Sequence, residues 1–510
     1  MKKIFVCIIL IWGTVFSSCD NILDVTPENA VTFTNFFKNE ENVNAICAQM
    51  HSFMKTLGAS ENMHVKMGVI FDHTSSTFNT NVKELLPSAV INGVGTNWKI
   101  HYNVIHFANL ILDNIHRVKN MNEDRKNFYL GQAYFAKGYM YYCLARDWGN
   151  AVITKDSESQ EVLGNSTDEE VLAEAIRNGE LAERILDKYE NLVDLNGDAL
   201  PSKQYASKGA ATALLAHAYA WKGAMIDLYG WNDDAKEAYD QAIHWATELI
   251  EGRAGAYSLE PSVESLCVNT LKGYGCENIF SLAFDEYASA FPMTTSLARY
   301  FTTWPVNTTA TPAMVKTRTY AVKASRIQGM YEEQDERRQS FFYKLDSMAN
   351  EVSTSITGGY AYVYKWREGY YKTTVTGSVN MISVKADYVQ WRLADIYLLR
   401  AECYAKLGDA RAKDDLNEIR RRAKATEYPA NGESDIRMAI FREREKELIY
   451  EGHRYYDAIR NNYLTELDSV YGELTEQDIR DGVLYLPIYS TAFTNNDILR
   501  QNQYWFKFNN

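Results

Sequence analysis

Three stretches of the chain set alanine and glycine beside large aromatic residues at three- to four-residue spacing, and no other feature constrains the fold as strongly. Residues 124–147 carry Tyr129, Ala133, Ala136, Tyr139, Met140, Cys143 and Leu144 at such intervals, with Gly149 following the last turn. Residues 202–223 carry Ala210, Ala213, Leu214, His217, Ala218 and Tyr219, and 234–251 follow with Ala238, Ile243 and Ala246. Residues 388–407 carry Trp391, Leu393, Ala394, Tyr397, Leu398, Ala401 and Tyr404. A Gly408-Asp409 turn then leads to 412–425, with Leu416 and Ile419 inward. Side chains recurring with this period line one face of a helix. Small residues let two helices cross closely, and the aromatics of one fill the gaps of the other.

Helix pairs of this kind, joined by short turns, are similar to tetratricopeptide units, each of which needs a neighbour to bury its second face. The expected fold is therefore mostly α, a curved scaffold of such pairs. Further helices are expected at 35–57 and at 97–117, the latter with a buried stripe of Trp98, Tyr102, Ile105, Leu112 and Ile115. Another runs from Thr167 to about Tyr189, opened by a capping box in which Thr167 and Glu170 satisfy each other's amides. Two stretches break the pattern. Residues 58–95 are dense in Gly, Asn, Ser and Thr and read as a long ordered loop, a length that is usually functional. Residues 253–387 are rich in Tyr, Thr, Ser, Gly and Phe and read as a loop-rich insertion between helix pairs, with a few short strands. Within it Tyr360, Tyr362, Tyr364 and Trp366 alternate with Ala361, Val363 and Lys365. That period predicts a strand, turning at Glu368-Gly369 toward a partner that begins near Tyr370.

The N-terminus reads as an export signal. Lys2 and Lys3 precede an apolar run at 4–16, too short to span a bilayer, that closes Val15-Phe16-Ser17-Ser18-Cys19. Small residues directly before a cysteine resemble the processing site of a bacterial lipoprotein, which predicts Cys19 lipidated and several acyl chains giving a stable membrane anchor; the alternative is an ordinary signal peptide beside an incidental cysteine. The expected organisation is a signal peptide at 1–18, a lipidated tether at 19–34 and a single body at 35–510, with its scaffold mainly at 35–57, 97–252 and 388–460. A net charge of −13 with only short basic runs argues against nucleic acid as a partner. Of seven cysteines, Cys47, Cys143, Cys267, Cys276 and Cys403 remain once Cys7 leaves with the signal and Cys19 is acylated. Cys267 and Cys276 flank a glycine-containing loop; in an oxidising compartment they either pair or stay free. With no CxxC and no HExxH, neither a metal nor a cofactor is expected.

Glu443, Glu445, Glu447 and Glu451 invite an enzymatic reading, since paired carboxylates hydrolyse glycosides. Four-residue spacing on one helix, however, does not place two carboxylates on opposite sides of a bond. With Arg442, Arg444 and Arg454 adjacent, the cluster reads as a structural ion network, and Arg392 and Asp395 as inter-helix partners. His217 and His244 read as packing or surface residues. No GxSxG, P-loop or dinucleotide fingerprint is present, so the chain is not expected to be an enzyme.

Four segments together resemble the SusD/RagB family of Bacteroidetes outer-membrane lipoproteins. Cys19-Asp20-Asn21-Ile22-Leu23-Asp24-Val25-Thr26-Pro27 is similar to the family's CxxxLDxxP start. Residues 131–149, from Gly131-Gln132-Ala133 through Ala136-Lys137-Gly138-Tyr139 to Tyr142 and Gly149, are similar to its GEAxFLRAYxYFxLVxxYG segment, with Lys137-Gly138 where Arg-Ala is usual. Arg392, Ala394-Asp395, Tyr397-Leu398-Leu399, Ala401-Glu402, Gly408-Asp409 and Leu416-Asn417-Glu418-Ile419-Arg420 match RxADxYLLxAEA…GD…LNxIR. Residues 442–454 resemble ERxxELxFEGxR, and Leu486-Pro487-Ile488 with Asn502 the C-terminal signature. The resemblance implies four tetratricopeptide-like units forming a right-handed scaffold and an irregular ligand-binding portion. It also implies a TonB-dependent outer-membrane transporter of the SusC type as partner, and a position in the outer membrane facing the exterior. The expected function is capture of oligosaccharides for import. Capture of peptides in the RagB manner, or a mainly structural role as the transporter's lid, are the alternatives.

Sugars offer flat C–H faces and rims of hydroxyls, which suit rigid aromatic platforms with fixed polar groups on ordered loops. Two irregular stretches qualify, and family analogy also points to an early and a central loop. The first offers Asp72, His73, Phe78, Asn79 and Asn81; the second offers Asp285, Tyr287, Arg299, Tyr300 and Trp304, with Phe291 and Asn307 nearby. Trp304 is the leading platform, against the reading that it plugs a loop beside Phe301 and Pro305. Arg299 suits a sugar hydroxyl or an acidic group, or a local salt bridge. Trp98, Tyr331 and the 360–366 stripe read as structural.

Overall fold

Each alanine-rich stretch forms a helix, and consecutive helices pack side by side along the chain. In this computed structural model the described residues are 36–57, 87–93, 96–284, 296–318, 320–351, 354–430, 432–467 and 473–508. In chain order the main helices are α1 (Glu40–Leu57), α2 (Lys99–Asn114), α3 (Glu123–Asp147), α4 (Asp168–Ile185), α5 (Lys208–Tyr229), α6 (Ala235–Ile250), the short α7 (Ser296–Phe301), α8 (Leu393–Lys406), α9 (Ala412–Ala423), α10 (Ile436–Glu447) and α11 (Arg454–Arg460). α3 packs on α4, α5 on α6, α6 on α8, and α8 on α9 and α10, giving paired helices of tetratricopeptide type. Besides further short helices, the described residues hold four short strands: β1 (Asn278–Leu282) pairs antiparallel with β4 (Tyr388–Arg392), and β2 (Gly369–Thr373) with β3 (Val379–Val384).

The small residues are where helices cross. A Cβ on Gly138 of α3 would lie 3.0 Å from the Ala175 carbonyl oxygen and 3.1 Å from the Gly179 nitrogen, so α3 and α4 touch almost backbone to backbone. Farther along, a Cβ on Gly223 of α5 would meet the Tyr239 ring of α6 at 2.6 Å. α3 is buried on nearly every side from Phe128 to Asp147, because α2, α4 and α5 all pack on it. A single inward stripe therefore understates it: Gln132, Lys137, Arg146 and Asp147 are buried as well. Lys137, at the position where the resemblance departs, lies 3.8 Å from Glu174.

Several boundaries differ from the sequence expectation, each for a tertiary reason. α4 opens with the expected capping box, Glu170 N donating to Thr167 Oγ1 at 3.2 Å and Thr167 N to Glu170 Oε2 at 2.9 Å. It stops at Ile185 and not at Tyr189, and Leu186 turns to lie over Gly131, where any Cβ would be 2.3 Å from its Cδ2. α5 starts at Lys208, capped by Ser207, and runs on to Tyr229, where Gly230 at φ +70° supplies the left-handed turn. Residues 388–392 are strand, not the first turn of a helix, so Trp391 belongs to β4 and packs on Phe280 of β1. In α2 the buried arc is His101, Val104, Ile105, Ala108 and Ile111. Tyr102 and Leu112 sit at its half-buried edges, because α1 and α3 close on the helix from two directions.

The expected strand at 360–366 is also corrected. Tyr360 and Val363 make only isolated bridges, with Lys323 and with Thr302 and Phe342, and the strand beginning at Gly369 pairs with β3 instead. Lys365, on the same side of the alternation as the buried Val363, is fully buried, and Glu451 meets its charge there. Cys267 is buried and Cys276 exposed, and both are free thiols, so this pair is not a disulfide. Trp98 and Tyr331 are buried as expected, Tyr331 donating to the Lys446 carbonyl at 2.9 Å.

Candidate functional site

Two concentrations of functional-looking side chains occur among the described residues, and they differ in whether a ligand can reach them. The first is ionic. Arg392, the last residue of β4, donates to Glu277 Oε1 at 2.6 Å, to Glu447 Oε1 at 2.7 Å and to both oxygens of Glu451 at 2.8 Å. Arg337 reaches Asp335 at 2.8 Å, Glu443 at 2.6 Å and Glu447 at 3.2 Å. Arg420 holds Glu443 at 2.8 Å, Lys365 holds Glu451 at 2.5 Å, and Arg422 reaches Glu277 and Glu447. All ten of these side chains are at most 4 % exposed. A neighbouring cluster has the same character: Arg444 bridges Asp395 and Asp457, while His217 of α5 donates to the far oxygen of Asp395 at 2.8 Å and stacks on Trp391.

Burial by itself would raise the Glu447 carboxyl, but Arg422, Arg392 and Arg337 outweigh it and hold it far below the carboxylate range. Against the same burial, Glu443 is pulled down chiefly by Arg337, Lys446 and Arg420, and Glu451 by Arg392 and Lys365. Carboxylates pinned ionised, enclosed and each held by two or more cations neither exchange protons with a substrate nor admit one. The network instead ties residues 335–365 to β4, α9 and α10. His244 is exposed, its ring 4.8 Å from that of Trp245.

The second concentration is aromatic and half-open. Residues 341–343 run beside 362–364: Tyr343 N donates to the Tyr362 carbonyl at 2.9 Å, Tyr364 N to the Phe341 carbonyl at 2.7 Å, and Val363 also bridges Thr302. Alternation then sorts the side chains. Phe342 and Val363 are buried in the core, while Tyr343 and Tyr364 are half-buried. Trp304, two residues past the Thr302 bridge, is also half-buried. Its ring stands 5.4 Å from Tyr343 at 88° and 5.4 Å from Tyr362 at 72°. Tyr343 in turn meets Tyr364 at 5.3 Å, and the Arg367 guanidinium lies 3.8 Å over the Tyr364 ring, fixed by a 2.8 Å bond to the Ser340 carbonyl. The result is a row of edge-to-face rings, Trp304–Tyr343–Tyr364–Arg367, held on short fixed segments with a packed core behind.

The other sequence candidates fall as follows. Tyr300 meets Tyr320 edge-on at 5.7 Å and makes no ring contact with Trp304, so these two candidates occupy separate aromatic clusters four residues apart. Arg299 is exposed, its guanidinium 5.7 Å from the Tyr300 ring. Phe301 is buried against Tyr450, with ring centroids 4.1 Å apart, and Asn307 is spent on its own turn, accepting from Thr309 N and Oγ1. Asp72, His73, Phe78, Asn79, Asn81, Asp285 and Tyr287, together with Cys19, lie outside the described residues. Tyr343 and Tyr364 were not candidates from sequence, because their exposure follows from pairing between segments that no local period marks. A polar groove of about 370 Å³, walled in part by Tyr102, His106, Asn109 and Thr154, was also missed; its Tyr102 hydroxyl is already committed to both polar groups of Val152. Among the described residues no cluster of three His, Cys, Asp or Glu is placed to hold a metal.

Comparison with known proteins agrees with this architecture along the chain. A family model described as the SusD family matches residues 293–505, and one described as starch-binding associating with outer membrane matches residues 21–220. The SusD-like protein P25 of Formosa agariphila is 23 % identical over 98 % of this chain and 98 % of its own length, and the SusD-like protein P38 of the same organism is 22 % identical over 97 % of each. Among solved structures, a SusD homolog from Bacteroides thetaiotaomicron superposes with a TM-score of 0.74 at 21 % identity, covering 92 % of this chain and 99 % of that one. NanU of B. fragilis superposes at 0.68 with 18 % identity over 94 % and 99 %. At these identities the superpositions speak to the fold.

Proposed function

From the premise that the chain belongs to the SusD/RagB family of outer-membrane lipoproteins, whose members are binding partners in transport and not enzymes, we propose that it captures oligosaccharides at the cell surface and passes them to a TonB-dependent transporter of the SusC type. The observation that carries the reading is the half-open aromatic row at Trp304, Tyr343 and Tyr364. Rings already fixed by their neighbours offer a flat apolar surface to a sugar's C–H face and lose little rotamer freedom on binding. Cys19 would carry the lipid anchor, with the tether at 19–34 placing the body at 35–510 outside the membrane on the exterior face. The early-loop residues Asp72, His73, Phe78, Asn79 and Asn81, and Asp285 and Tyr287 of the central loop, supply further polar and aromatic contacts in this reading.

Calorimetric titration of the soluble body with plant and host oligosaccharides tests it. The expected result is saturable binding that Trp304→Ala weakens about tenfold, the worth of one stacked ring at ~1.4 kcal/mol. Binding of peptides but of no oligosaccharide would refute the sugar assignment while leaving the transport role.

A further inference from the structure

The chain carries a net charge of −13 and 66 acidic residues, yet from Tyr287 to Tyr331 it contains no Asp or Glu and five cations: Arg299, Lys316, Arg318, Lys323 and Arg326. Forty-five consecutive residues of one sign are unusual in so acidic a protein, and the geometry around the five cations distinguishes two of them. Lys323 donates to the Gly358 carbonyl at 2.9 Å and lies over the Tyr360 ring, and Arg326 faces Glu445. Arg299 and Arg318 are different. Among the described residues no carboxylate or carbonyl accepts from either guanidinium, although other half-buried arginines of this protein are matched: Arg125 with Glu40, Arg367 with Glu264, Arg400 with Asp415. Arg318 is itself half-buried. The segments that carry them are joined by ring packing: Tyr300, next to Arg299, meets Tyr320, two residues beyond Arg318, at 5.7 Å, and Phe301 meets the same Tyr320 ring at 5.5 Å. Burial first, and then the charge of Arg299, hold the Arg318 guanidinium below its ordinary value, as fits a cation with no counter-ion among the described residues.

We propose that Arg299 and Arg318 form an anion-reading subsite beside Tyr300, and that the captured oligosaccharide therefore bears acidic groups, carboxylate or sulfate; this rests on the glycan-capture reading above. Like charges on adjoining segments, one of them partly out of water, disfavour the empty state, and an oxyanion with in-plane acceptors relieves both at once. Tyr300 stands beside the pair as a platform for the ring that bears the anion. A neutral sugar would leave the repulsion in place.

The test is titration of the whole soluble body with matched pairs: a galacturonate tetramer against its methyl ester, and a sulfated galactan tetramer against its desulfated form. The carboxylate and sulfate arms separate the two sources of the anion. At least one charged member is expected to bind ten or more times tighter than its neutral counterpart, with a preference that fades as salt rises. Arg318→Gln and the exposed Arg299→Gln should each bring the pair close to parity, Arg318→Lys should keep part of the preference, and thermal midpoints should stay at wild type for Arg299→Gln. Equal affinity within both pairs, or a preference that survives both glutamine variants, overturns the anion subsite and leaves glycan capture standing. Binding of neutral oligosaccharides alone does the same. Failure of every oligosaccharide to bind the folded protein overturns both readings together.

Discussion

Removing the charge of Glu447 is the sharpest test of the idea that the acidic helix is structural. Its carboxylate is fully enclosed and faces Arg337 at 3.2 Å, Arg392 at 2.7 Å and Arg422. Within the network five cations, Arg337, Lys365, Arg392, Arg420 and Arg422, balance five carboxylates, Glu277, Asp335, Glu443, Glu447 and Glu451. Glu447→Gln keeps the shape but leaves the cluster with one uncompensated positive charge, and turns an amide NH₂ toward a guanidinium. Breaking a buried pair from one side costs about 3–5 kcal/mol. With an unfolding entropy of about 2.1 cal/mol/K per residue, a body of roughly 470 residues changes by ~1 kcal/mol per degree, so the midpoint should fall by ~3–5 °C. Scanning calorimetry at pH 7 reads the shift directly. The double variant Glu447→Gln with Arg422→Met restores neutrality and should recover part of the loss, although it removes a second side chain. A midpoint within about 1 °C of wild type for the single variant, or strictly additive losses in the double, would refute the reasoning.

The same burial predicts a steep acid limb. His51 and His453 are lowered to about 4, burial being the first cause in each, so both stay neutral in the folded protein while the unfolded chain protonates near 6.5. Their contribution is present above pH 6.5 and is lost as pH falls toward 4, up to ~3 kcal/mol each; denaturant midpoints measured from pH 7 to 4 should fall accordingly, and less so in His453→Gln. Below about pH 5 the depressed carboxyls of Glu443, Glu447 and Glu451 begin to lose theirs as well. Among the described cysteines, Cys276 should react with a thiol reagent in the native protein. Cys47, Cys143, Cys267 and Cys403, buried and pushed up to about 12, should label only on unfolding, as peptide mass analysis would show. Gly138→Leu should destabilise by ~1–3 kcal/mol or more through overpacking between α3 and α4, read as a lower urea midpoint.

Much of the scaffold is local information and was legible from sequence. The period of Ala210, Ala213 and Leu214, the capping box at Thr167 and the turn at Gly408 act over a few residues, so the helices they specify form, although α4 ends before Tyr189 and α5 begins and ends later than its period suggested. The structural reading of Glu443 and Glu447 followed from helical spacing and the nearby arginines, and burial bears it out, but their partners are Arg337, Arg392, Arg420 and Arg422 from other segments and not the arginines beside them. What the local pattern could not decide was which face meets what. Residues 388–392 satisfy a helical period and yet form β4, because β1, more than a hundred residues earlier, supplies the ladder; Lys365 is a charge that stays enclosed because Glu451, far along the chain, meets it. The aromatic row has the same origin. Trp304 was visible as a residue type in an irregular stretch, but Tyr343 and Tyr364 join it only because Phe342 and Val363 pair and turn their neighbours outward. Periodicity fixes a side chain's direction relative to its own segment, whereas exposure, ion pairing and ring contacts are properties of two segments at once. Sequence alone therefore determined most of the helices and the family they resemble, and tertiary packing decided where several helices end, which rings stay open and which charges are closed in.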